Sequence, residues 1–315
     1  MNYIEPKAEW WPQSKQGEPF PQSVARHIAR VGRLCYKSQG KQPPGGLTQE
    51  EREAFCLRRD EERVRGFWRS GHRSMYRHGT AYFFVKNDGR LPGYIWAQLR
   101  ATPYAGYAAQ GHKAWISANM QYLLENEGLM RLLDPYGVSE DEFIRKAVKS
   151  QCHEALLLLR MTFVLTTQIS TARELNRTSP NCIAEQSTRY CNLGRKGGVQ
   201  VCEPHWMPGA TRWQRLVYKA ACRVGEWAYL RLLRSGLKPQ DARGALPLDT
   251  YTVAAYTYTV AEWRHILALR LYGTTGEPHP NAKLAMMRVA AVIAARMKEY
   301  NPNFDIHEDT VQKTQ

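Results

Sequence analysis

Two short runs of β-branched and aromatic residues, Thr80–Val85 (TAYFFV) and Arg160–Ile169 (RMTFVLTTQI), stand in a chain whose other ordered stretches repeat apolar residues every three to four positions. Helical spacing is read over 20–36, 48–70, 112–133, 139–159, 210–235, 249–271 and 280–299. Thr48 and Glu51 fit a capping box at the start of the second of these, and Gly71 marks its end. Ser235-Gly236 stops the long helix, Asn87-Asp88-Gly89 turns the chain after the first strand, and Thr171-x-x-Glu174 is placed to cap a brief helix after the second. Few strands among many helices predict an α+β, helix-rich fold with one catalytic domain over 20–300, an N-terminal extension over 1–19 and a polar tail over 301–315.

Composition narrows the classes. Apolar residues make up 43% of the 315, so the chain has the means to bury a core. No run approaches the length of a membrane span, and the first residues show neither a basic nor an apolar signal region, which predicts a cytoplasmic protein. Seven scattered cysteines without a CxxC fit reduced thiols rather than a disulfide framework or a zinc ribbon. The net charge of +15 predicts an anionic partner, whether nucleic acid, nucleotide or polyanionic cofactor.

Phosphate loops, dinucleotide fingerprints, HExxH and GxSxG are all missing, and no histidine stands at metal-ligand spacing. The densest polar cluster runs from Arg173 to Asn192, directly after the second strand. Its arginines offer planar forks for phosphate, its hydroxyls add donors, and its Glu and Gln suit a sugar or a base edge. A solvated loop is the competing reading. A nucleic-acid-binding module is a further alternative, from arginines at 52, 58, 59, 63, 65, 69, 73 and 77 with Phe67 and Trp68 among them. Interleaved Glu51, Glu53, Asp60, Glu61 and Glu62 make that stretch read more as a salt-bridged exposed helix.

Glu185-Gln186-Ser187-Thr188-Arg189-Tyr190-Cys191-Asn192 resembles the signature of flavin-dependent thymidylate synthases, written RHR, seven residues, SxRY. The spacing puts the first Arg on Arg177, but Thr178 and Ser179 replace the His and second Arg, and Ala184 replaces the Asn before Glu185. Gly71-His72-Arg73-Ser74-Met75-Tyr76-Arg77-His78-Gly79 resembles the family's GHxSxxEH stretch, and Gly32–Ser38 its N-terminal helix end. Ala242-Arg243-Gly244-Ala245-Leu246-Pro247 matches ARxxLP, continuing without a gap through Trp263-Arg264-His265 to Leu269-Arg270. The likeness covers roughly 20–300, with an insertion at about 88–160.

The resemblance implies that fold, with a small mixed sheet and active sites at subunit interfaces of a homotetramer. It implies one-carbon transfer to carbon 5 of dUMP, with FAD as cofactor and methylenetetrahydrofolate and NADPH as cosubstrates. Glu174, Arg177, Glu185, Ser187, Arg189, Arg243 and Arg270 would then bind dUMP, and Arg270 would act catalytically at the uracil edge. The flavin would meet His72, Ser74, Arg177, Thr178, Ser179, Thr259, Ala261 and His265. No cysteine serves as nucleophile in this family. Departures cluster on the flavin side, where Thr259 and Ala261 replace a common Asn and Arg. Three outcomes follow: flavin held by substituted contacts such as Arg173 and Arg264; hydroxymethylation of the same carbon, with water in place of hydride; or nucleotide binding without turnover. A modified or cytosine nucleotide is also open as substrate.

Overall fold

The computed structural model describes residues 2–14, 20–38, 40, 42–86, 91–178, 182–194, 198–273 and 284–304. In chain order the elements begin with β1 (Asn2–Ile4), β2 (Lys7–Trp10), α1 (Phe20–Cys35) and α2 (Gln49–Arg69). A 3₁₀ turn at Arg73–His78 leads into β3 (Thr80–Lys86), α3 (Tyr94–Arg100), β4 (Ala105–Gln110) and β5 (Lys113–Asn119). There follow α4 (Met120–Glu125), α5 (Glu127–Leu133), β6 (Gly137–Val138), α6 (Glu140–Lys149), α7 (His153–Leu156), β7 (Arg160–Gln168), α8 (Ile169–Asn176) and β8 (Ile183–Glu185). The chain continues with β9 (Gln200–Cys202), α9 (Arg212–Arg234), α10 (Pro239–Ala242), β10 (Tyr251–Thr259), α11 (Val260–Leu267), a π-helical turn at Ala268–Tyr272, and α12 (Leu284–Tyr300).

One antiparallel sheet, ordered β2-β7-β10-β8, organises the molecule. Every residue of β7 is buried, and side chains alternate between its two faces. Phe163 and Leu165, with Ala254 and Tyr256 of β10, pack beneath Trp263 and Ile266 of α11 and Val289 and Ile293 of α12. Val164 and Ala255 face the other way, against Val31 and Cys35 of α1. Phe163 meets Trp263 edge to face with centroids 5.0 Å apart. Truncating either ring to Ala would cost about 3–5 kcal/mol.

The second sheet, ordered β4-β5-β3-β6, is also antiparallel. Ala81, Phe83, Val85, Ile116 and Ala118 lie on one face with Ile95, Leu99 and Leu133. From the other face Tyr82 and Trp115 join Phe143 of α6 in the main core. A parallel pair, β1-β9, completes the strands among the described residues. Helices thus dominate, with small sheets, as an α+β helix-rich fold requires.

Several local expectations hold. The helix at 20–36 is α1, and α2 carries the full Thr48–Glu51 capping box, with Gly71 in the left-handed region at φ 79°. The run 80–85 lies in β3, and 160–168 of the expected 160–169 strand is β7, with Ile169 opening α8. Others need correction. Residues 113–119 of the expected 112–133 helix form β5, because KAWISAN pairs along both edges, with β3 and with β4. Residues 251–259 of the expected 249–271 helix form β10, whose β-branched and aromatic residues fill a central strand position between β7 and β8. Thr171 lies inside α8, and Gln168 holds the cap position. The turn expected at 87–89 and the tail from 305 onward lie outside the described residues.

Candidate active site

The polar loop leaves β8 and turns tightly because of one hydroxyl. Ser187 Oγ accepts from the backbone N–H groups of Arg189 (3.2 Å) and Tyr190 (3.3 Å), closing a turn on itself. The Ser187 N–H donates to the Cys35 carbonyl at 2.9 Å, and Gln186 N–H donates to Val253 at 2.8 Å, so the loop is tied to α1 and β10. Asn192 Oδ1 accepts from Gly194 N–H at 2.9 Å and ends the loop. Upstream, Glu185 accepts from the Thr252 hydroxyl at 2.8 Å.

Arg243 reaches this loop from elsewhere in the chain. Its guanidinium donates to Thr188 Oγ1 at 2.8 Å. Ala242, Ala245 and Leu246 around it share a hydrophobic cluster with Cys191, Leu193 and Tyr229, which explains how the two motifs are held in register. Gly225 of α9 allows the approach, since a Cβ there would sit 2.8 Å from the Ala245 carbonyl oxygen. Arg189 is exposed, with its guanidinium 5.7 Å from the Tyr190 ring centroid.

The loop borders a cavity of about 1100 Å³, roomy for a nucleotide-sized ligand. Arg30, Arg33, Lys37, Tyr36, Ser38, Gln186 and Tyr251 are among its lining. Arg33 is ion-paired with Asp60. Arg30 instead stacks on Trp11 at 3.7 Å, and Lys37 donates to the Tyr251 hydroxyl at 2.8 Å, so these two cations rest on aromatic groups. Burial pulls the Arg30 guanidinium below its usual range, although Glu9 pulls the other way. Ser38 Oγ is buried with no hydrogen-bond partner among the described residues. A cationic, aromatic cavity with an unsatisfied hydroxyl fits an anionic ring compound, which is the chemistry of a flavin nucleotide as well as of a nucleoside monophosphate.

His72 connects to this region. Its Nδ1 lies 3.0 Å from the Tyr36 hydroxyl, and the Tyr36 ring in turn lies 6.3 Å from that of Tyr190. Ser74 is exposed on the same 3₁₀ turn. Of the other flavin-side positions, Arg177 is exposed at the end of α8 and Thr178 follows it, while Ser179 lies outside the described residues. Thr259 is occupied as the N-cap of α11, its hydroxyl accepting from Glu262 N–H at 3.1 Å. Ala261 and His265 are exposed on that helix.

A second contact group joins Glu174 of α8 to Arg270. The guanidinium donates to the Glu174 carbonyl at 3.1 Å and lies 3.7 Å from its carboxylate. Arg270 sits in the π-helical turn, an irregularity that often marks functional positions. Its Nε is buried with no hydrogen-bond partner among the described residues.

The buried thiols are unsuited to attack. Burial pushes Cys35, Cys182 and Cys202 up to about 12, and raises Cys152, Cys191 and Cys222 as well. Groups of three metal-ligating side chains do not occur among the described residues. No described helix is long and apolar enough to cross a membrane. Sequence reasoning missed Arg30, Lys37 and Tyr251, which lie on different elements and meet only in the folded chain.

The family described as "Thymidylate synthase complementing protein" has a model that matches residues 106–303, a span containing both contact groups but not His72 or Ser74. Two solved structures of a UMP/dUMP methylase PolB from Streptomyces cacaoi are similar to this chain. The one bound with 5-Br dUMP is 27% identical, with a TM-score of 0.41, over 51% of this chain and 76% of that one. The one bound with 5-Br UMP is 25% identical, with a TM-score of 0.42, over 51% and 78%. No curated protein matches.

Proposed function

The chain belongs to the thymidylate synthase complementing protein family, the flavin-dependent thymidylate synthases, and on that premise we propose that it transfers a one-carbon unit to carbon 5 of dUMP or a close relative. The observation that carries this reading is the Arg243–Thr188 contact, which brings a guanidinium from one family motif onto the loop of another.

In this reading Arg243, Arg189, Arg177 and Ser187 hold the phosphate and sugar, with Glu174 and Glu185 nearby. Arg270 stabilises the negative charge that develops at the uracil edge as ring nitrogen 3 gives up its proton. A guanidinium suits that task because it stays charged throughout. Carbon 5 then forms a bond to the one-carbon unit of methylenetetrahydrofolate and loses its proton, and the carbon–nitrogen bond to the folate breaks, releasing tetrahydrofolate. Arg30, Lys37, Ser38, Tyr36 and His72 would hold FAD, which supplies the redox equivalents when bound and is itself reduced by NADPH. The hydride that completes a methyl group would come from the reduced flavin. Thr178 and Ser179, which replace the expected His and Arg, favour a second reading in which water ends the reaction and the product is hydroxymethylated.

The exposure of Arg177 and Arg189 fits completion of the site by another copy in a homotetramer. The test is incubation with dUMP, methylenetetrahydrofolate, NADPH and FAD, with the nucleotide product identified by mass spectrometry. A methylated product supports the first reading and a hydroxymethylated one the second. Unchanged dUMP, with a flavin absorbance band insensitive to the nucleotide, would overturn both.

A further inference from the structure

Helix α9 is bound to the rest of the molecule along one side only. Cys222 and Tyr229 are its buried residues, and Tyr218 donates to Asp249 from the same side. The opposite side carries Trp213, Leu216, Val217, Val224 and Trp227, exposed by 70, 60, 48, 62 and 61%. At helical spacing these fall within about 60° of Ala220, which is itself exposed. They form one apolar stripe, about 21 Å long from Trp213 to Trp227.

The stripe is symmetric about Ala220 except at Val217, which falls opposite Arg223 and would pack on its aliphatic stem. Trp213 and Trp227 stand seven residues either side of Ala220, and Leu216 and Val224 stand four either side. An antiparallel copy related by a two-fold axis at Ala220 would set each Trp213 against a Trp227, each Leu216 against a Val224, and the two small alanines against each other. Such self-complementarity is what an isologous interface requires. We propose that α9 pairs with α9 of a second copy of this chain about a two-fold axis at Ala220.

Area supports one occupant of this kind. The five apolar side chains expose on the order of 600 Å² per copy, near the upper limit for patches on monomers. A standard interface needs about 800 Å² per partner, and the aliphatic stems of Arg223 and Arg231 extend the stripe toward it. Charge does not prevent the pairing. Arg223 stands three residues from the axis, so the two copies of it lie roughly 9 Å apart along the helices, close to the Debye length in physiological salt. An apolar pairing with screened cationic flanks should tighten as salt rises. Binding of an acidic partner or a nucleic acid to the same helix should weaken.

The inference deepens the assembly part of the reading above, but its test reads mass rather than product, so either can fail without the other. Sedimentation velocity of the full chain at tens of micromolar, in low and high salt, is the measurement. The expected result is an even number of copies, with the mass halved by Ala220→Arg and association weakened at least tenfold by Trp213→Ala with Trp227→Ala. A wild-type chain running as one copy, or an Ala220→Arg variant of undiminished mass, overturns the proposal. Ala220→Cys in a Cys56→Ser background keeps the test independent of any folding defect in the arginine variant. Mild oxidation should link two chains through the introduced thiols, and failure to link them counts against the axis. A single-copy chain that binds a fluorescent oligonucleotide through Trp213 and Trp227 would assign the stripe to another partner.

Discussion

Arg270 donates to the backbone carbonyl of Glu174 at 3.1 Å and lies 3.7 Å from the carboxylate of the same residue. One guanidinium therefore fixes the end of α8 against the π-helical turn while its Nε stays unpaired. A charge held in this way needs no reorganisation when negative charge develops on a ligand, and that is the condition for electrostatic catalysis.

Arg270→Ala should lower turnover about 100- to 1000-fold, the usual effect of losing one such donor. Arg270→Lys should recover little, because an ammonium cannot hold the Glu174 carbonyl and present a second planar donor together. Single-turnover product formation checks both, with circular dichroism showing that the fold persists. Undiminished turnover in the alanine variant would remove Arg270 from the mechanism.

Arg243→Ala should weaken nucleotide binding roughly 10- to 100-fold, corresponding to about 1.5–3 kcal/mol for a hydrogen bond to a charged group. Thr188→Val should act more mildly, because Arg243 would lose its tether and keep its charge. Titration calorimetry with dUMP distinguishes the two. Equal affinity in wild type and Arg243→Ala would show that this arginine does not meet the phosphate.

The sequence made some of this arrangement legible and hid the rest for physical reasons. Thr48 and Glu51 announce α2 because capping is local chemistry, completed within three residues. β3 and β7 were readable from their concentrated β-branched and aromatic residues. β10 was not, since its alanines and tyrosines run straight into the capped helix α11 and are strand only because β7 and β8 flank them. β5 was hidden likewise, its identity set by pairing with β3 and β4. In the candidate site, Ser187 and Arg243 could be found through motif spacing. Arg30 on α1 and Tyr251 on β10 carry no local mark, and only tertiary packing brings them to the cavity.

Glu140 makes the stability of the C-terminal helix depend on pH. Tyr300 of α12 donates to its carboxylate at 2.7 Å, and burial pushes Glu140 up to about 7 while that hydrogen bond pulls less strongly downward. The folded state thus holds the proton more tightly than the unfolded chain. The resulting stabilisation is fully present below the ordinary carboxyl range near 4.5 and is lost as pH rises through about 7. Glu140→Gln should flatten this dependence and raise Tm at pH 8 by roughly 2–4 °C. Thermal melts of both proteins between pH 5.5 and 8 decide it, and parallel curves would contradict the assignment.

A buried chain of hydrogen bonds should act in the opposite direction. His27 Nε2 lies 2.9 Å from Thr162 Oγ1, Thr162 Oγ1 lies 2.6 Å from Thr257 Oγ1, and Thr257 Oγ1 lies 2.8 Å from His78 Nδ1. Thr162 and Thr257 face each other across β7 and β10, so the chain joins α1 to the 3₁₀ turn through the central sheet. Three links share two hydroxyl protons, so if each hydroxyl donates along the chain, one histidine must supply the third. Burial, reinforced by neighbouring arginines, pushes both histidines down to about 3, against 6.5 for a free imidazole. Their folded values are depressed, so the neutral rings contribute full stability above 6.5 and lose it as pH falls toward 3. At pH 5 the loss is about 2 kcal/mol for each histidine. His78→Asn should therefore lower stability at pH 7.5 yet reduce the further loss between pH 6.5 and 5. Thr257→Val should cost about 1–3 kcal/mol at both pH values, because it leaves a buried ring nitrogen without its partner. Urea unfolding at the two pH values measures both effects, and an unchanged pH slope in His78→Asn would mean that this ring does not stay neutral in the fold.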